Sequence, residues 1–311
     1  MAYRLDVFDD FHLHGASAPQ WRQRYLQMSR GTMRSALAEV SAGKVHVFRK
    51  WMSERVVQQG CLPHGQICFA VPLADKAAPA RAQGRELAGP QLLVLRGGEE
   101  FMLQRPAGFE LLALTFELDA FERLLDERPW RAESRVRLSR GVLQVPADAL
   151  ADWRRELLGL FDAPHTPCTE HTAQRCFDAL TRLVDRAEPA RQRIGSASAS
   201  GVVARCHAWA AQRDEMPADL DALCLRLRIS RRTLQSSFRQ VADTAPADYL
   251  RNLRLDAVRR ELMTTPADRL SVSQAALNRG FEHLGRFAGQ YRALFGEVPS
   301  QTARAATRST A

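Results

Sequence analysis

The chain has 311 residues, 45% of them hydrophobic and 25% charged, with a formal net charge of +9. That length favours two domains, each able to bury a core. No apolar run approaches the roughly 18–20 residues that cross a bilayer, so no spanning helix is expected.

The segment Met1 to Phe11 carries acidic residues and no apolar h-region, so it does not read as a secretory signal. A cytoplasmic location is the expectation. The positive charge is uneven. Residues 201–311 hold 17 basic and 11 acidic side chains, a surplus of +6, whereas the first 200 hold 27 and 24, a surplus of +3. Such a bias suits an anionic partner such as DNA. However, 41 of the 44 basic residues are Arg, and codon usage in a GC-rich genome explains that ratio as readily as phosphate binding does.

From about 30 to 118 the chain reads as short apolar strands. Lys44 to Val47, Gln66 to Val71, Gln91 to Leu95, Glu100 to Gln104 and Phe109 to Leu118 are the runs, with Gly and Pro between them. Strands at this spacing predict an antiparallel sandwich or jelly-roll barrel rather than βαβ units. Trp21, Tyr25, Trp51, His64 and Arg96 are candidates to line a pocket, with packing or surface roles as the plainer alternative. His46 and His64 are too isolated for a metal-binding barrel, so no metal is expected there.

After residue 119 the pattern turns helical. Leu150, Trp153, Leu157, Leu158 and Phe161 form one apolar stripe, and Cys176, Phe177, Leu180, Leu183 and Val184 another. Core packing and a dimer interface both fit such stripes. Six cysteines form no CxxC pair, as expected of reduced thiols. His165, Cys168, His171 and Cys176 cluster, but their spacing matches no familiar zinc module. No cofactor is expected. Residues 188–201 have few large apolar groups and a Gly/Ala/Ser run, which predicts a flexible tether between domains at 1–187 and 202–311.

Beyond that tether the chain repeats itself. Cys224 and Ile229 correspond to Ala276 and Phe281 at an offset of 52, and Leu234, Phe238, Val241 and Pro246 to Phe287, Tyr291, Leu294 and Pro299 at 53. Each unit predicts a helix, a turn and a second helix with apolar side chains on one face. The outward faces carry Arg231, Arg232, Gln235 and Arg239 in the first, and His283, Arg286, Gln290 and Arg292 in the second. Arg can fork onto guanine and Gln onto adenine in the major groove, so this pattern suits base reading.

The repeat resembles the AraC/XylS family of transcription regulators. The matching residues are Ile229 to Phe238, Pro246 to Leu250, Arg254-Leu255, Gly280 to Phe287, Tyr291-Arg292 and Phe295 to Ser300. The resemblance covers about 202 to 305. It implies an α+β protein with a cupin-like antiparallel β-barrel and flanking helices at the N-terminus. The C-terminal domain would have seven helices and two helix-turn-helix subdomains, joined by a helix over about 246 to 263.

Base contacts would then come from Arg231, Arg232, Gln235 and Ser236, and from His283, Gly285, Arg286 and Gly289. Arg286 should dominate the second set, since a glycine offers no side chain to a base edge. Arg239 and Gln290 join the DNA-binding residues on the same faces. Arg228 stands where the family usually has Gly, which strains the turn if that position needs a positive φ. Arg304 and Arg308 lie in a tail that touches phosphate or nothing.

The implied partners are double-stranded promoter DNA, a second copy of the chain and RNA polymerase, the last in the role of an activator. A small-molecule effector or a protein partner would act on the N-terminal domain. GxSxG, HExxH, GxGxxG and Walker A segments are all missing, so an enzyme is not expected. Two other readings stay open. One is methyl transfer from damaged DNA to Cys168 or another thiol, although Thr169 stands where a Pro-Cys-His setting would have His. The other is a protein-interaction module that binds no DNA.

Overall fold

The computed structural model describes residues 2–18, 21–42, 45–73, 79–126, 141–162, 170–189, 196–210 and 220–306. Strands β1 (Ala2–Phe8), β3 (Ser35–Ala42), β4 (Val45–Met52), β6 (Gln66–Pro72), β9 (Gln91–Arg96), β11 (Phe109–Glu117), β12 (Val142–Gln144) and β13 (Glu188–Pro189) build a large sheet in the order β1-β3-β4-β11-β6-β9-β12-β13. A smaller one runs β2 (Arg22–Gln27), β5 (Val56–Cys61), β10 (Glu100–Arg105), β7 (Ala80–Ala82), β8 (Arg85–Leu87). Every pairing within them is antiparallel. The fold is α+β as expected, with one correction. The sheets face each other as an open sandwich and do not close into a barrel.

Side-chain alternation explains the layering. Along β6, Ile67, Phe69 and Val71 point one way and pack on helices, while Cys68 and Ala70 point the other way, into the space between the sheets. The helix layer comprises α2 (Leu118–Asp126), α3 (Ala147–Asp162) and α4 (Glu170–Asp185). Its apolar stripes, including Trp153, Leu157, Phe177 and Leu180, are core against the large sheet. They are therefore not the surface that a dimer would use.

A short helix α1 (Phe11–Ala16) follows β1. The C-terminal part contains α5 (Ser196–Ala210), α6 (Leu220–Leu227), α7 (Arg231–Ala242), α8 (Pro246–Thr264), α9 (Val272–Leu277), α10 (Leu284–Phe295) and a 3₁₀ turn at Pro299–Gln301. The predicted tether is partly ordered structure. Glu188–Pro189 pairs with β12, and Ser196 onward is helix. Small side chains let that helix pack closely, with Ala199, Val202, Val203 and Cys206 buried beside Leu234 and Phe238. Residues 190–195 lie outside the described residues.

The small sheet is covered on both faces. Phe101 and Leu103 point into the sandwich, whereas Leu26, Val57 and Met102 pack on the C-terminal helices. A second shared core joins Phe11, Met33, Met52 and Val56 to Leu255, Val258, Leu262 and Phe295.

Candidate nucleic-acid interface

The two repeats fold alike. In the first, α6 leads through a turn into α7; in the second, α9 leads into α10, with α8 between the pairs. Serine caps recur: Ser230 Oγ accepts the Thr233 N–H at 3.0 Å, and Ser271 Oγ accepts the Gln274 N–H at 3.0 Å. The turns match as well. Ile229 N–H donates to Cys224 O, and Phe281 N–H to Ala276 O. At the equivalent positions before them, Arg228 has φ of 52° and Gly280 of 76°. The turn does need a left-handed residue, and Arg228 fills it under strain.

Buried side chains fix how the second helices roll. Leu234, Phe238 and Val241 of α7 are buried, as are Phe287, Tyr291 and Leu294 of α10. Phe238 meets Tyr249 edge-on at 5.1 Å, which seats α7 on α8. The opposite faces are left to solvent. Arg231, Arg232, Gln235, Ser236 and Arg239 are exposed on α7, and His283, Gly285, Arg286 and Gly289 on or beside α10.

Their partners differ. Arg231 is paired with Asp221 at 2.8 Å, and Ser236 donates to the Thr233 carbonyl. Among the described residues, no hydrogen bond or ion pair engages Arg232 or Arg286. Gln290 is half-buried and lines a cleft with Arg30, Arg55, Asp248 and Arg251. Arg304 is no loose phosphate contact, because its guanidinium donates to the carbonyls of Leu262, Thr265 and Leu270. Arg308 lies outside the described residues, as do His165 and Cys168. Among the described residues no group of His, Cys, Asp and Glu is arranged for a metal.

The N-terminal half grips the C-terminal ends of both second helices, a feature that sequence reasoning missed. Arg81 on β7 donates to the carbonyls of Arg239 and Gln240 at the end of α7, and Arg55 donates to Asp243 O at 2.9 Å. A cation at a helix C-terminus meets carbonyls that have no partner within the helix. At the end of α10, Gln27 Nε2 donates to Leu294 O at 2.6 Å, and Gly31 N–H donates to the same oxygen. Gly296 follows, with φ of 78° and no room for a Cβ, which would lie 2.3 Å from Thr32 Oγ1.

The central helix α8 is tied in too. Arg259, with 11% of its side chain exposed, bonds Asp10 at 2.7 Å and Glu297 at 2.6 Å. Burial works against its charge, but the nearby Asp10, Tyr291 and Glu297 outweigh it and hold its pKa up.

Of the pocket candidates, Trp21 and Tyr25 are buried between the sheets, whereas His64 and Arg96 are exposed and Trp51 is half-buried. The side chains that join Trp21 and Tyr25 are Lys50 and Arg105, which were not foreseen. A charged residue at an inward-facing strand position was the available signal.

Residues 223–305 match the family described as "Helix-turn-helix domain". A relative at 40% identity over 92 residues is the XylDLEGF operon transcriptional activator of Pseudomonas putida, the match covering 30% of this chain and 29% of that protein. This C-terminal segment is an AraC-type helix-turn-helix domain. A second relative of the AraC-type domain, the HTH-type transcriptional regulator CdhR of Pseudomonas aeruginosa, is 39% identical over 87 residues, which are 28% of this chain and 25% of that one. The matches thus span less than a third of these relatives. Among solved structures, the AraC-like transcriptional activator CuxR overlaps 82% of this chain and 94% of its own at a TM-score of 0.45 and 13% identity.

Proposed function

We propose that the protein is a transcription regulator whose two recognition helices, α7 and α10, enter successive major grooves of promoter DNA. The observation that carries this reading is the pair of equivalent, outward-facing helices in the AraC-type domain, each with an exposed, unengaged arginine, Arg232 and Arg286. Arg231, Gln235, Ser236, Arg239, His283 and Gln290 complete the DNA-binding set, with Arg231 exchanging Asp221 for DNA. Bidentate contacts to base edges supply the sequence preference, and the remaining arginines supply phosphate contacts.

The chain acts as a homodimer. Tyr3, Leu5 and Val7 alternate on an exposed face of β1, at 40%, 56% and 73% exposure, and among the described residues β1 pairs only with β3. An apolar stripe on an edge strand is suited to a second copy. The names of the Pseudomonas putida relatives support activation, and hence contact with RNA polymerase. The N-terminal half, with its contacts at both recognition helices, is the part that an effector would control.

The test is selection of bound duplexes from a random DNA pool by the full-length protein, followed by anisotropy over a salt series. One sequence should be preferred by about 10³-fold or more over scrambled DNA. Arg232→Ala and Arg286→Ala should each cost about 1–3 kcal/mol and relax preference at one base position. Equal, weak binding to every selected duplex refutes the reading.

A further inference from the structure

Between the two sheets, β4 and β10 bring two cations into the protein interior. Lys50 is 3% exposed and Arg105 is 0% exposed. Their hydrogen bonds go to neutral groups. Lys50 Nζ donates to Tyr25 Oη at 3.0 Å and to Gln23 Oε1 at 3.4 Å, and Arg105 donates to Gln58 Oε1 and weakly to Met52 Sδ. The Tyr25 hydroxyl is a further neutral partner of the Arg105 guanidinium, and among the described residues Arg105 Nε finds no acceptor. The Lys50 ammonium lies 5.3–5.9 Å from the ring centroids of Phe48, Tyr25 and Trp21. Glu39 acts on Lys50 only through its field, since its ion pair is with His46 at 3.2 Å. Among the described residues no carboxylate touches either cation.

Two desolvated positive charges without a counter-ion are costly, and aromatic faces return only a small part of that cost. The cations feel one another. Burial, followed by the field of Arg105, brings the Lys50 pKa down to about 7, while His14 alongside is kept neutral. Arg105 has no such escape, because a guanidinium keeps its proton. The interior is therefore short of negative charge, and the surrounding rings and thioether favour an anion with an apolar body. A phosphate dianion would leave several oxygens desolvated against these rings. One carboxylate matches the two cations and the few donors available.

We propose that Lys50 and Arg105 form the binding site for a small organic carboxylate, its oxygens on the two cations and its apolar body against Trp21 and Phe48. This rests on reading the N-terminal half as the effector-responsive part of a DNA-binding regulator. The route outward is short. Tyr25 bonds Lys50, the next residue Leu26 packs in the core beside Phe238, and Gln27 holds the end of α10. A carboxylate that draws Lys50 off Tyr25 thus acts on the strand that contacts both recognition helices.

Calorimetry on the full-length protein tests it, with phenylacetate and hexanoate as probes and phenylacetamide as the neutral control. Both carboxylates, or the better-fitting one, should bind, and the amide should not. Lys50→Met and Arg105→Met should each weaken binding about tenfold to a hundredfold, the worth of one charged hydrogen bond. Thermal melts without ligand guard against misfolding. Lys50→Met should melt no lower than the parent, since it removes an uncompensated buried charge. A readout that needs no variant is proton uptake on binding above pH 8, seen by repeating the titration in buffers of different ionisation heat. No heat with either carboxylate, equal affinity for the amide, or unchanged affinity in both Met variants overturns the proposal. Carboxylate binding by a protein that selects no DNA refutes the regulator reading alone and leaves the site standing.

Discussion

The contact between the two halves is most exposed to test at Arg259. This side chain leaves α8 and reaches Asp10, which is 3% exposed and belongs to the N-terminal half, and Glu297, which follows α10. Its guanidinium also lies 4.8 Å from the centroid of the Phe295 ring. Arg259→Met keeps the volume and removes the charge. Among the described residues the Asp10 carboxylate would then keep only the His12 N–H as partner, at 2.7 Å, and a buried carboxylate would have lost its cation. Breaking a buried pair by removing one member costs about 3–5 kcal/mol. Glu297 is partly solvated, with 30% of its side chain exposed, so the lower end, about 3 kcal/mol, is expected.

Asp10→Asn should cost about 2 kcal/mol on its own. The double variant should cost clearly less than the sum, because each substitution removes the reason for the other's penalty. Urea unfolding of the full-length chain, followed by tryptophan fluorescence, gives the cycle. A coupling of about 1–2 kcal/mol is expected, carried by the transition in which the halves separate. Strict additivity would mean that Asp10 and Arg259 do not meet, and with that the described contact between the halves falls.

Two further outcomes are specific. Arg228→Gly should stabilise the chain by about 0.5–1 kcal/mol, because glycine removes the left-handed strain and gives back part of it as backbone entropy; a thermal melt that moves down instead refutes the turn geometry. The pH dependence follows from two buried histidines. Burial holds His14 down to about 2 and His207 to about 4, so below about pH 6.5 the unfolded chain binds protons that the folded chain refuses. The histidines' contribution is therefore complete above that pH and falls as acid is added, by up to about 1.4 kcal/mol per unit for each of them. His14→Gln should flatten the loss between pH 6 and 4 in unfolding scans, and an unchanged slope would show that His14 is solvated.

The helix-turn-helix repeats were legible because self-similarity is a strong signal. Leu234, Phe238 and Val241 recur as Phe287, Tyr291 and Leu294, and all are buried as their spacing requires. Strands β4, β6, β9, β10 and β11 were legible one by one, whereas β1 and β2 lie before the stretch that reads as strands; the pairing order was not legible, since nothing local distinguishes the neighbours of β11 from those of β10. The sequence at 196–201 points to a tether because Ala, Ser and Gly bury little by themselves. Here they pack only because α7 is already present to receive them. The second covered face of the small sheet left a trace in the sequence: Tyr25-Leu26 and Val56-Val57 are each apolar at successive positions, as befits strands buried on both sides. Lys50 and Arg105 contradict their inward-facing positions, and local rules fail most often where a site is built.

The placement of Gln27 bears on how regulation would work. Its amide nitrogen donates to Leu294 O in the second unit and to the carbonyls of Ser29 and Gly31 in its own loop, while its backbone carbonyl accepts from Asn252 on α8. Arg81 on the same sheet and Arg55, just before β5, hold the end of α7. The small sheet and its flanking loops therefore hold α7 and α10 at their C-terminal ends, away from the N-terminal turns that bear Arg232 and Arg286. Helices held at one end pivot there, so a small shift of β2 becomes a larger displacement at Arg232 and Arg286. Two helices can enter successive grooves together only when their spacing matches the duplex. If α7 and α10 read DNA as proposed, a sheet that grips both sets DNA affinity without touching the nucleic acid, by changing one spacing.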